Sequence, residues 1–373
     1  MRLGLASTFP PFRGGIAQFN AAAVRALKDR GHDVESVTWS RQYPGLLFPG
    51  TTQWEPGKGA ADVDMPALLD SLYPASWSRT GRHLAERCDV VVLPFWHAAL
   101  APALTGVAKS AKKHGVKHVM ALMHNTTSHD GKRMDRILVN RFLRQVDGVV
   151  TLSGPVSAAL REWSPVTLFH PLYDHLPRGP RKEEARRQLG LSKDDVVHLF
   201  FGLIRPYKGL SVLLEAMKDL PEHHKLVVAG ECYGSWEPYA EVIRKHGLES
   251  RVLIHNEFIE DDLVPIYFSA ANTAVLPYTQ ASQSGVTALA LHHEVRVVAS
   301  DVGDLANTVV PELTGRLLPP GDVQALASAL DQPWSAQPAD VKGAFEQVKK
   351  RLSWSAWADQ LTQQVEFALS GAR

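Results

Sequence analysis

Two parallel-sheet α/β domains in one chain are what this sequence predicts, on three observations. Short β-branched runs alternate with amphipathic helical stretches. The alternation halts at a proline-rich, basic segment after residue 170 and then begins afresh. And 373 residues exceed what one ordinary hydrophobic core organises. Strands that alternate with helices form parallel sheets with helices on both faces, so the two sets read as two Rossmann-like domains.

Taken in order, LGLA (3–6), VESVTW (34–39), DVVVLPF (89–95), KHVMALM (117–123), DGVVTLS (147–153) and VTLF (166–169) are the strands of the first set. IAQFNAAAVRALKDRG (16–31) is an amphipathic helix that stops at Gly31, where a C-capping glycine belongs. After His170-Pro171, the stretch PLYDHLPRGPRKEEARRQLG reads as a linker running into a helix. VVHLFFG (196–202), HKLVVAG (224–230), RVLIHNEF (251–258), NTAVLPY (272–278), VRVVAS (295–300) and GRLLPP (315–320) are the strands of the second set.

Hydrophobic residues at 45% and charged residues at 21% exclude a disordered chain. Forty Lys and Arg against 39 Asp and Glu give a net charge of +1, so nothing draws nucleic acid in bulk and an anion site must be local. Cys88 and Cys232 are too few for a disulfide framework and read as buried thiols. The apolar run at the N-terminus is too short for a signal peptide and no run is long enough to span a bilayer, so a cytoplasmic protein is expected. The basic stretches 108–118 and 131–145 read first as solvated faces, with contact to an anionic membrane surface as the alternative.

In open parallel sheets, ligands bind beyond the carboxyl ends of the strands, where helix N-termini present unpaired N–H groups. Four loops qualify. STFPPFRGGIAQF (7–19) places Gly14 and Gly15 before a helix, either as a close approach to a ligand or as a tight turn. FFGLIRPYKG (200–209) sets Arg205 and Lys208 beside the start of a helix. Cations there oppose the helix dipole, so helix stability does not explain them; a bound anion does, and a solvated pair is the plainer alternative. LPYTQASQSGVTALAL (276–291) puts Gln283, Ser284, Gly285 and Val286 at a helix N-terminus that suits an anion, or at an ordinary Ser/Gly cap. MHNTTSHDGKR (123–133) carries His124 and Asn125, and PFWHAALAPAL carries His97; a lone histidine is more often packed than catalytic.

The succession FPPFRGGIAQF, MHN, LSGPVSAAL, FHPLYD, FFGLIRPYKGLSVLLEA, AVLPYTQASQSG, VRVVASDVG and SWSAWADQL resembles glycosyltransferase family 4 along nearly the whole chain. The resemblance implies the GT-B fold, with two Rossmann-like domains facing across a cleft and the last helix returning to the first. Residues 1–172 with 355–373 would be the acceptor domain and residues 173–354 the donor domain. It implies retaining transfer of a sugar from a nucleotide diphosphate donor to a hydroxyl acceptor, with no separate cofactor. Arg205 and Lys208 match the basic pair on the pyrophosphate, Gly14 and Gly15 the glycine loop, and His124 the histidine near the donor sugar. Phe258 and Ile259 match the backbone that meets the nucleobase, and His97 and Asn125 fall on the acceptor side.

One departure stands out. The family's two glutamates, separated by seven residues, fall here at Ala281 and Leu289. Two rivals follow: a nucleotide-sugar epimerase on the same fold, which needs acid–base groups around the sugar, and a binding protein without catalysis. No Asp, His or Cys cluster with divalent-ion spacing sits in the candidate loops, so activity without a metal is expected.

Overall fold

A computed structural model describes residues 1–42, 53–55, 57–126, 133–174 and 176–370. The chain divides into two compact units, Met1–Phe169 with Trp354–Arg373, and His170–Ser353.

In unit 1 the elements are β1 (Arg2–Ala6), α1 (Gly15–Asp29), β2 (Asp33–Arg41), β3 (Ala67–Asp70), α2 (Pro74–Arg87), β4 (Val90–Phe95), α3 (Ala101–Lys113), β5 (His118–Met123), α4 (Arg133–Leu143), β6 (Gly148–Thr151), α5 (Gly154–Ala159) and β7 (Val166–Thr167). All seven strands run parallel in the order β3-β2-β1-β4-β5-β6-β7. Their near-continuous apolar character follows from burial on both faces. On one face Phe19 of α1 packs among Leu5, Val92 and Leu122. The C-terminal helix belongs to this unit, where its Trp354 and Trp357 set their edges against Phe19 at 5.0 and 5.5 Å. That places the tryptophans of the SWSAWADQL motif in the core rather than at a site.

Unit 2 runs α6 (Lys182–Gln188), β8 (Val196–Phe201), α7 (Leu210–Met217), β9 (His224–Ala229), α8 (Glu237–Lys245), β10 (Val252–His255), α9 (Val264–Ala270), β11 (Thr273–Leu276), α10 (Gly285–His292), β12 (Arg296–Ser300), α11 (Leu305–Thr308), β13 (Gly315–Leu318), α12 (Val323–Asp331) and α13 (Pro338–Arg351). The remaining helix, α14, is Trp354–Leu369. Six parallel strands take the order β10-β9-β8-β11-β12-β13. Because β9, β8 and β11 are neighbours pointing the same way, the loops after them emerge side by side.

Two expectations need adjustment. Strand β3 was not foreseen, since ALLD is four residues long and follows Pro66 directly. Cys88 is buried, and burial pushes its thiol up to about 12, but Cys232 is only half-buried.

Candidate functional site

The basic pair of unit 2 sits on a short 3-10 turn, Pro206–Lys208, between β8 and α7. Proline at the first position of the turn fixes its φ, and Gly209 ends it in the left-handed region at φ +73°. Arg205 precedes the turn in extended conformation, with its guanidinium 5.0 Å from the centre of the Tyr233 ring. Lys208 closes the turn with its ammonium 5.7 Å from the centre of the Tyr278 ring. Each cation thus has an aromatic face near it, an arrangement that orients a cation without neutralising it. Among the described residues neither makes an ion pair.

Lys208 also faces the beginning of α10. A Cβ on Gly202 would lie 3.5 Å from the Lys208 nitrogen and 3.4 Å from Val286 Cγ2, so both border one small space that only glycine leaves open. Burial, and secondarily the charge of Arg205, lower Lys208 to about 8. A bound phosphate favours the ammonium form, so its affinity should be highest below pH 8 and fall as pH rises through it. The expected fall approaches tenfold per pH unit. Nucleoside diphosphate titrations at pH 7 and 9, in two buffers of different ionisation heat, should also show proton uptake at the higher pH. Equal affinity without proton uptake would remove Lys208 from the phosphate site. The sign for stability is opposite: with its folded value below the unfolded one, Lys208 makes unit 2 more stable as pH rises from about 8 towards 10.5.

At the amino end of α10, Ser284 caps the helix through backbone position, not through a side-chain bond; its hydroxyl lies 3.3 Å from that of Tyr278. The amide oxygen of Gln283 and the hydroxyl of Thr287 are buried without a hydrogen-bond partner among the described residues. Gly285 is in close quarters: a Cβ there would come within 2.7 Å of the Tyr173 hydroxyl. Ala281 is half-buried and Leu289 is packed in the core of unit 2, so no carboxylate stands at either position. Ile259 also packs in that core, while Phe258 beside it is half-buried.

In unit 1, Gly14 caps α1 at φ +106° and is exposed together with Gly15. Asn20 secures the loop before them by donating to Ser7 Oγ at 2.8 Å and to the Thr8 carbonyl at 2.9 Å. Phe12 stacks on Trp54 at 4.2 Å. His124 follows β5, is 2% exposed and sets its ring edge-on to Phe19 at 4.7 Å. His97 caps a 3-10 turn, its Nδ1 accepting from the Ala99 N–H at 3.2 Å. Asn125 is half-buried beside His124; residues 127–132 of the same motif lie outside the described residues. Among the described residues no group of three His, Cys, Asp or Glu is gathered to hold a metal ion.

Tyr233, Tyr278 and Tyr173 are the residues that sequence reasoning passed over. Tyr233 and Tyr278 lie in the loops after β9 and β11, the two neighbours of β8, and strand order alone brings them to the basic pair.

Comparison with known proteins bears on the same regions. Residues 14–167 match the glycosyl transferase 4-like domain, and residues 195–335 match glycosyl transferases group 1. The D-inositol 3-phosphate glycosyltransferase of Xylanimonas cellulosilytica is 27% identical over 351 residues, covering 85% of this chain and 82% of that one. That of Corynebacterium aurimucosum is 32% identical over 190 residues, 48% of this chain and 45% of the relative. In fold, the chain is similar to Anabaena HepE in complex with UDP and glucose, with a TM-score of 0.76, 17% identity and coverage of 98% and 100%. It is also similar to the sucrose-phosphate synthase of Thermosynechococcus elongatus, with a TM-score of 0.70, 20% identity and full coverage of both. With a matching model on each unit and GT-B neighbours across its length, the chain belongs to the group 1, family 4-like glycosyltransferases.

Proposed function

We propose that this glycosyltransferase takes its sugar from a nucleotide diphosphate donor bound in unit 2 and passes it, with retention, to a hydroxyl acceptor received by unit 1. One observation carries the donor assignment: two cations without ion-pair partners among the described residues, one of them beside the amino end of α10. Of the proteins named above, two are D-inositol 3-phosphate glycosyltransferases and HepE was solved with UDP and glucose, which fits a nucleotide-sugar donor here.

In this reading Arg205 grips phosphate oxygens and Lys208 adds a compact charge, while the N–H groups of Ser284, Gly285 and Val286 and the side chains of Gln283 and Thr287 turn towards the donor. As the bond from the sugar carbon to the phosphate oxygen breaks, its electron pair passes to the pyrophosphate, and these groups stabilise the growing charge. The acceptor oxygen attacks the same face of the carbon, and its proton goes to a phosphate oxygen. The backbone at Phe258 and Ile259 meets the base, the Gly14–Gly15 loop approaches the phosphates, and His97 and Asn125 attend the acceptor. The enzyme works in the cytoplasm. Thermal shift with UDP, GDP and ADP tests the donor site, since a ligand that binds only the folded protein raises its melting point. Stabilisation by none of the three would overturn it.

His124 stands near the donor sugar and steadies charge at the reacting carbon in this reading. Its replacement by alanine is expected to lower turnover by about 10²-fold, the size of one lost polar contact to the transition state, while donor affinity holds. The ring also packs on Phe19, so some melting temperature will be lost as well. Normal turnover measured well below the melting transition would leave His124 a packing residue only.

A further inference from the structure

The outward face of α4 has no part in the site described above. Val139, Phe142 and Leu143 anchor one side of the helix in the core of unit 1. At 100° per residue, the opposite arc carries Arg133, Met134, Ile137 and Arg141, with Arg144 in line just beyond the last turn and Arg136 about 60° outside it. All six are exposed, Met134 to 61% and Ile137 to 54%. Asp135, the acid of this helix, lies on the other side, about 160° from Ile137.

Two features set this arc apart from a solvated helix face. None of these four arginines makes an ion pair among the described residues, so their charges are open to an outside anion. Large apolar side chains also stand among the charges, where a merely soluble surface would carry polar ones. Unit 1 exposes such side chains in two further places, Phe367 at 55% on α14 and the pair Leu72 at 58% and Tyr73 at 56%, which follows the carboxyl end of β3. Since α4 begins after the carboxyl end of the parallel strand β5, its arc and the Leu72–Tyr73 pair rise from one edge of the sheet.

We propose that this face of α4 is a docking surface for an anionic phospholipid membrane. Met134 and Ile137 would enter the boundary between headgroups and acyl chains, and the arginines would spread their stems along it and pair with lipid phosphates. Nucleic acid fits less well, because the arc offers no aromatic ring on which a base could stack. No helix among the described residues is long and apolar enough to cross a membrane, so the contact is peripheral. Resting on the assignment of unit 1 as the acceptor side, this makes the acceptor a lipid-linked hydroxyl compound.

Co-sedimentation of the full chain with vesicles tests the surface. At low salt the protein should pellet with phosphatidylcholine vesicles containing one-third phosphatidylglycerol, and not with pure phosphatidylcholine. Each basic residue near such a surface strengthens binding by roughly fivefold, so the Arg133→Ser, Arg141→Ser variant should bind about 25-fold more weakly. The Met134→Ser, Ile137→Ser variant should lose about tenfold from the apolar area no longer buried. Arg244→Ser, on an exposed helix of unit 2, should bind as the parent does. All variants should keep the parent's nucleotide affinity, which separates this surface from the donor site. The proposal is overturned if anionic vesicles do not carry the protein down, or if the α4 variants bind as tightly as the parent. It is equally overturned if the protein is a dimer that the Ile137 variant dissociates, since a second copy then covers the face.

Discussion

Arg205→Ala should lower turnover by roughly 10²–10³-fold, the loss typical of one preorganised group that stabilises transition-state charge. Nucleoside diphosphate affinity should fall by about 1.5–3 kcal/mol, the worth of a charge-assisted hydrogen bond. The structure makes this a clean experiment. Arg205 is half-buried, stands outside the cores of unit 2 and makes no ion pair among the described residues, so the fold should lose little. Lysine should restore only part of the activity, because the planar guanidinium beside Tyr233 offers two parallel donors and an ammonium does not. There is a second readout. Arg205 is one of the two causes that lower Lys208, so its removal should move the pH at which nucleotide binding weakens upwards from about 8. Full turnover and an unmoved pH profile in a folded variant would make the pair a solvated surface feature.

What the sequence disclosed about this site, and what it hid, follows from the range of the interactions. The two parallel sheets were legible because a strand buried on both faces must be apolar throughout, and the 3.6-residue period of the helices between them is equally local. The chain's return to unit 1 at Trp354 was legible through the family resemblance and not through any pattern in SWSAWADQL. Arg205 and Lys208 were legible because both fall in one loop after one strand. Their aromatic partners were not. Tyr233 and Tyr278 come from the loops after two other strands, and only the order β9-β8-β11 puts those loops on either side of the basic turn. His97 adds a local contact that its residue type did not announce: its Nδ1 caps a short 3-10 turn by accepting from the Ala99 N–H.

The glycine that ends the basic turn should be the least replaceable residue of the site. Gly209→Ala is expected to cost about 1–2 kcal/mol for placing an L-residue in the left-handed region. Steric overlap should add about 1–3 kcal/mol more. The overlap is with backbone: a Cβ at Gly209 would lie 1.9 Å from the carbonyl oxygen of Pro277 and 2.8 Å from its carbon. Pro277 has little freedom to retreat. It follows β11, which is paired on both sides, and the next loop is tied to the basic turn by the Thr279 N–H donating to the Tyr207 carbonyl at 2.8 Å. Relief must therefore come from the turn itself, which would carry Lys208 away from Tyr278 and from the start of α10. Turnover should fall together with stability. Gly202→Ala is the matched comparison, with φ +85° but nothing closer than 3.4 Å to the added Cβ. It should pay only the conformational term, yet weaken nucleotide binding by placing a methyl group between Lys208 and Val286. Thermal unfolding and nucleotide titration of the two variants should thus separate, with Gly209→Ala the less stable. Equal melting temperatures would show that the turn yields to a methyl group, and the close approach to Pro277 would then not be what fixes Lys208.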